Sequence, residues 1–109
     1  MSYVKVLRTN ELQPGEMLMV EVEGRHLLMV NLEGAYYALD DRCPHQGGSL
    51  SRGEMQDGKI ICPRHHATFE LKTGRNVGDA KVGFINMKVK DAVNYPVKVD
   101  GEDVLVDLQ

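Results

Sequence analysis

The segment CPHQGGSLSRGEMQDGKIICPRHH, from Cys43 to His66, holds both cysteines of the chain and three of its four histidines. Each end repeats one idea, a cysteine, a proline and then a histidine: Cys43-Pro44-His45 and Cys62-Pro63-Arg64-His65. A fold that uses these residues must bring two separate loops together. Thiolate sulfur and imidazole nitrogen suit a soft or borderline metal, and four such ligands would satisfy tetrahedral zinc. Zinc fingers, however, pair two cysteines and then two histidines, whereas each loop here supplies one of each. A binuclear site accounts for the mixing, because each loop can place its cysteine on one metal and its histidine on the other. The sixteen residues between His45 and Cys62 suffice for a hairpin that sets the second loop beside the first. A Cys43–Cys62 disulfide would explain the cysteines but leave the paired histidines as coincidence.

The rest of the composition excludes several classes. A length of 109 residues suits one domain, residues 1–109, with one modest core. The formal net charge of −3 argues against a nucleic-acid protein, which shows a basic stripe. The N-terminal MSYVKVLRTN has no apolar core and no small-residue cleavage site, so no secretory signal is read there. No apolar run approaches the roughly 18–20 residues needed to span a bilayer. The expectation is a cytoplasmic protein without membrane association, in which two cysteines are more often metal-binding or catalytic than disulfide-bonded.

Short strands with turn punctuation dominate the pattern. Tyr3–Val6 is a short run, and LQPGE at Leu12–Glu16 is a turn built on Pro14 and Gly15. Met17–Val22 sets Leu18, Val20 and Val22 on one face, and after Glu23-Gly24-Arg25 the run His26–Val30 reads as the returning strand. Glu33-Gly34 turns into Ala35–Leu39. Asp57-Gly58 is a hairpin signal with Lys59–Cys62 behind it, and Ala67–Leu71 is a further strand. Tyr95–Val99 and Asp103–Leu108 alternate around Asp100-Gly101, with Val97 and Val99 facing one way, as do Val104, Val106 and Leu108. Between Arg75 and Gly83 the periodicity is too weak to assign; Phe84–Val89 fits a strand with Phe84 buried. No stretch offers a long, capped helix. The fold class expected is all-β and antiparallel, a sandwich or small barrel.

C-P-H, sixteen residues, then C-P-R-H resembles the Rieske ligand pattern C-x-H…C-x-x-H. Gly47-Gly48 and Leu50 after the first loop, TFELKTG after the second, LQPGE upstream and YPVKVDGEDVLVDL downstream also resemble the small Rieske ferredoxins. The likeness covers most of the chain and is weakest over Arg75–Asn94. It implies one Rieske-type 2Fe–2S cluster per chain. Cys43 and Cys62 would bind the inner iron, and His45 and His65 the outer iron, where the electron resides after reduction. It also implies a β-sandwich carrying a small cluster-binding subdomain at about 41–74.

Missing residues narrow the type. The high-potential Rieske proteins of respiratory and photosynthetic complexes carry an extra cysteine in each loop, joined by a disulfide; Gly48 and Arg64 stand at those places. They also set serine and tyrosine hydroxyls near the cluster, five and seven residues after the second ligand cysteine, where this chain has Ala67 and Phe69. Neither side chain donates a hydrogen bond, so the resemblance implies the low end of the Rieske range, nearer roughly −150 mV than +300 mV. Such a potential suits a monomeric one-electron carrier between an NAD(P)H-dependent flavoprotein reductase and the terminal component of an oxygenase. Other readings are the Rieske small subunit of an NAD(P)H nitrite reductase, bound to its large subunit, and a zinc-stabilised β module without redox role. Only His26 and His66 remain unassigned, too few for a separate facial triad, so no catalytic site of the chain's own is expected.

Several neighbours carry both a structural and a functional meaning. His66 stands where many members have glycine and reads as a neighbour of the site or a surface residue, and His26 as a surface or packed strand residue. Pro44, Pro63, Gly47 and Gly48 shape the loops. Arg42, Arg52 and Arg64 read first as three solvated charges and second as a basic rim for an acidic partner.

Overall fold

The computed structural model describes residues 3–43, 48–63, 66–78, 80–82, 85–87 and 90–108. Two-residue turns cut much of the chain into hairpins. In Glu23-Gly24, Glu33-Gly34 and Asp57-Gly58 both residues have positive φ, between 49° and 96°. Tight hairpins need that left-handed pair, because its twist matches the twist of the strands it joins. The turns link β2 (Met17–Val22) to β3 (Arg25–Leu32), β3 to β4 (Ala35–Asp40), and β5 (Glu54–Gln56) to β6 (Lys59–Ile61). The remaining strands are β1 (Tyr3–Arg8), β7 (Thr68–Glu70), β8 (Asn76–Gly78), β9 (Ala80–Val82), β10 (Ile85–Met87), β11 (Asn94–Tyr95), β12 (Val97–Asp100) and β13 (Asp103–Asp107). All pairings are antiparallel. Two short 3-10 turns, Thr9–Glu11 and Leu50–Arg52, are the helical elements among the described residues. No helix there is long and apolar enough to cross a membrane.

Three sheets form the framework, in the orders β1-β13-β12, β11-β4-β3-β2 and β5-β6-β7-β8, and β9 with β10 makes a separate ribbon. The middle one is covered on both faces. On β3, Leu27 and Met29 pack with Leu7, Tyr95, Val104 and Val106 toward the first sheet. Leu28 and Val30 pack with Ile60, Phe69 and both cysteines toward the third. Double burial explains why this strand reads as the unbroken run LLMV rather than as apolar-polar alternation. Each such fully buried side chain contributes about 1.5–3 kcal/mol. The outcome is the all-β, antiparallel architecture expected, with both cysteines beneath the face of the middle sheet that Leu28 and Val30 cover.

The structure corrects some details. Tyr95–Val99 is not one strand: β11 pairs with β4, and β12 pairs with β13. The break falls at Pro96, which has no N–H to give a ladder. Val97 packs against the core, but Val99 stays 48% exposed. Val20 and Val22 pack inward while Leu18, on the outer strand of its sheet, remains 41% exposed. Within Arg75–Asn94 lie β8, β9 and β10; Phe84 and Val89 are outside the described residues.

Candidate metal centre

The two loops are closed in the same way. Leu50 N–H donates to the Asp41 carbonyl at 2.7 Å, Arg42 bridges to Ser49, and Cys43 N–H donates to the Gly48 carbonyl at 2.6 Å. In the second loop Ile61 pairs with Thr68, and Cys62 N–H donates to the Ala67 carbonyl at 2.7 Å. In both, the cysteine sits at the base and its N–H crosses to the carbonyl five residues on. The sequence between each cysteine and its partner carbonyl includes a candidate histidine. His45 and His65 themselves lie outside the described residues, as do Pro44, Gly47 and Arg64.

Cys43 and Cys62 are both buried, belong to one cluster of side chains, and are not joined as a disulfide. Leu28, Val30, Leu50, Ile60, Ala67 and Phe69 share that cluster. Two thiols at equivalent bases of two like loops, in an apolar setting that holds water away, fit a sulfur-ligated metal centre. Ala67 and Phe69 are fully buried there and bring no hydroxyl.

Two supports around the loops were not foreseen. Asp41 is buried, and its carboxylate accepts from Ser49 Oγ at 2.5 Å and from Ser51 N–H at 2.7 Å. Its own N–H donates to the His26 carbonyl at 2.9 Å, which ties the first loop to the middle sheet. The available signal was an acid two residues before Cys43 with Ser49 and Ser51 alternating after the loop. Gly53 lies so close to β6 that an added Cβ would stand 1.9 Å from the Ile61 carbonyl oxygen, next to Cys62. Its place between Arg52 and Glu54 gave no sign of this.

His66 is exposed and left-handed, with φ of 63°. That conformation is free for glycine and costly for other residues, which accounts for glycine in many members. Its N–H donates to the Cys62 carbonyl at 3.1 Å, and its carbonyl accepts from Thr68 Oγ1 at 3.2 Å. His26 faces out, meets Glu21 at 3.0 Å and lines a hollow beside the first loop, without being part of the cysteines' cluster. Arg42 and Arg52 are exposed and line one hollow beside the first loop.

Antiparallel sheets that hold two cysteine-based loops over a buried apolar cluster define a β protein with a candidate sulfur-ligated metal centre. Residues 2–83 match the model of the Rieske [2Fe-2S] domain, and the chain belongs to that family. It is 33% identical over 106 residues to the ferredoxin component of the naphthalene 1,2-dioxygenase system of Pseudomonas aeruginosa, covering 97% of this chain and 95% of the relative. Among solved structures, it matches the ferredoxin of carbazole 1,9a-dioxygenase from Nocardioides aromaticivorans with a TM-score of 0.84 and 26% identity over the whole of both chains. A complex of reduced oxygenase and oxidized ferredoxin in carbazole 1,9a-dioxygenase contains a chain matched with a TM-score of 0.77 and 27% identity, covering 95% of this chain and 91% of that one. The protein is thus a Rieske-type ferredoxin with a 2Fe–2S cluster as cofactor, an electron carrier and not an enzyme.

Proposed function

We propose that the chain carries single electrons from an NAD(P)H-dependent flavoprotein reductase to the terminal component of an oxygenase, as a cytoplasmic monomer. In this reading residues 1–109 form one Rieske domain with the cluster-binding part at about 41–74. Cys43 and Cys62 hold one iron, and His45 and His65 hold the other. When bound, the cluster supplies a site that takes up and releases one electron. The chain's own residues position it. The crossed N–H bonds of Cys43 and Cys62 fix the loop bases, Asp41 anchors the first loop, and Leu28, Val30, Ile60 and Phe69 keep water from the sulfurs.

The observation that carries this reading is the pair of buried, unbridged thiols at equivalent positions of two like-closed loops. The oxygenase partner is supported by the relatives named above, one of which stands in a complex with its oxygenase. Electron paramagnetic resonance of the dithionite-reduced protein, with iron and zinc assayed on the same sample, tests the ligand set. The expected result is about two irons per chain and an average g below the free-electron value. His45→Cys and His65→Cys, each retaining iron, should move that average toward an all-thiolate cluster. A spectrum unchanged by either exchange would refute these ligands. A stable complex with a large reductase chain, instead of transient pairing with a flavoprotein, would replace the mobile carrier by a fixed subunit.

A further inference from the structure

We infer that the buried negative charge of Asp41, fixed at the base of the first cysteine loop, holds the reduction potential of the cluster down. Asp41 is 4% exposed and stands two residues before Cys43, which is also buried. Two residues of chain span at most about 7 Å. The backbone of Asp41 joins the middle sheet to the loop. Its N–H donates to the His26 carbonyl at 2.9 Å, and its carbonyl accepts from Leu50 N–H at 2.7 Å. The carboxylate is therefore held beside the loop and does not swing into solvent. The buried carboxylates among the described residues are Asp41 and Asp107. Asp107 lies on β13 in the first sheet, so Asp41 is the one that adjoins a cysteine loop.

Neutral donors hold the charge. Asp41 Oδ1 accepts from Ser51 N–H at 2.7 Å, and Oδ2 accepts from Ser49 Oγ at 2.5 Å. Ser49 Oγ also meets Ser51 Oγ at 2.9 Å. A hydroxyl has one proton, and that of Ser49 goes to the carboxylate, so Ser51 is the donor to Ser49. The three groups thus form one chain of hydrogen bonds that runs toward Asp41 and suits an anion at its end. Arg42 and Arg52 line the same hollow. The ion pairs among the described residues are nevertheless Lys5–Asp103, Arg8–Glu102 and His26–Glu21, none of which includes Asp41. Reduction adds a negative charge to the cluster, and a fixed anion nearby opposes it. Unit charges about 10 Å apart, at an effective dielectric constant of about 20, change such an equilibrium by about tenfold. The hydroxyls missing at Ala67 and Phe69 concern the second loop; Asp41 gives the first loop its own part in a low potential.

The inference rests on the electron-carrier reading, and redox titration of the holoprotein, with iron assayed on each sample, separates the two. Asp41→Asn keeps the shape of the brace: its Oδ1 still accepts from Ser51 N–H, and its Nδ2 donates to Ser49 Oγ once that hydroxyl turns toward Ser51. It should shift the equilibrium about tenfold toward the reduced form, which is about 59 mV upward for one electron. Most of that difference should survive a rise in ionic strength from about 0.05 M to about 0.5 M, because a buried charge is screened little. Asp40→Asn, at a half-buried acid that meets the Arg42 N–H at 3.4 Å, should give a smaller shift that salt abolishes. Ser49→Ala takes a donor from the anion and leaves the charge, so it should move the potential the other way, by about twofold toward the oxidised form. An Asp41→Asn protein that keeps its iron and lies less than about twofold from wild type, about 18 mV, overturns the inference. So does an unchanged or raised potential in Ser49→Ala, which would mean that the fit of the brace and not the charge sets the value. That second variant decides the matter should Asp41→Asn lose its iron. A wild-type protein that binds no iron overturns the carrier reading as well, whereas an intact cluster with unshifted potentials overturns the role of Asp41 alone.

Discussion

Ala67→Ser with Phe69→Tyr should raise the reduction potential. Both positions are fully buried in the cluster of side chains that contains Cys43 and Cys62. Ala67 lies across the second loop from Cys62, and Phe69 is paired with Ile60 on the strand that enters that loop. A hydroxyl that donates to a sulfur binds the reduced cluster more strongly, because reduction adds a negative charge. Hydrogen bonds to charged groups are worth about 1.5–3 kcal/mol net and neutral ones about 0.5–1.5 kcal/mol, so each donor gains about 1–1.5 kcal/mol on reduction. For one electron, a tenfold change in the equilibrium is about 1.4 kcal/mol or 59 mV, which makes each donor worth about 40–60 mV and the pair about 80–120 mV. That is roughly a fifth to a quarter of the whole Rieske span. Redox titration followed by visible absorption and by electron paramagnetic resonance measures the shift, with both single variants to test additivity. A double variant within about 20 mV of wild type, with two irons and an intact spectrum, refutes the account, since even one working donor exceeds that. A fall in thermal midpoint without a shift refutes it equally. It would mean that the hydroxyls are buried without a partner, at about 1–3 kcal/mol each.

Three further substitutions probe the frame of the site. Gly53→Ala would place a methyl 1.9 Å from the Ile61 carbonyl oxygen, so β6 must shift; faster iron loss in urea is expected, and loss at the wild-type rate would show that the contact is slack. Asp41→Ala removes the acceptor of Ser49 Oγ and Ser51 N–H. It should lower holoprotein stability by about 1–3 kcal/mol in denaturant titration, with Asp41→Asn less harmful; equal stability of all three proteins would deny the anchor. His66→Gly relieves a left-handed residue at φ of 63°, and the gain, offset by glycine's unfolded-state entropy, should be up to about 1 kcal/mol, read as a higher thermal midpoint. A lower midpoint would mean that the imidazole makes a stabilising contact.

What could be read from the chain follows the range of the interactions. Glu23-Gly24, Glu33-Gly34 and Asp57-Gly58 were legible because a tight turn depends on its own two residues. The cysteine loops were legible because the order and spacing of cysteine and histidine are covalent facts, and the matched N–H crossings of Cys43 and Cys62 supply the physical basis of that repeat. Pro96 was visible, but its consequence was not: a proline marks where a ladder must stop, not which sheet the next strand joins. The run LLMV on β3 gives buried residues without saying that they divide between two cores, since that depends on sheets contributed by strands far away in sequence. Arg75–Gly83 was illegible because its strands are three residues long, too short for periodicity to register, and no acid-glycine turn such as the Asp57-Gly58 that marks β6 stands beside them. The same limit governs function. The absence of hydroxyls at Ala67 and Phe69 can be read by counting from Cys62, so the direction of the potential was open to sequence reasoning. The grouping of Arg42 and Arg52 could be read only as one of two possibilities, because they are ten residues apart and line one hollow only when the first loop closes through Asp41 and Ser49. The residues offered to the metal are thus written locally, whereas what surrounds them is written in the fold.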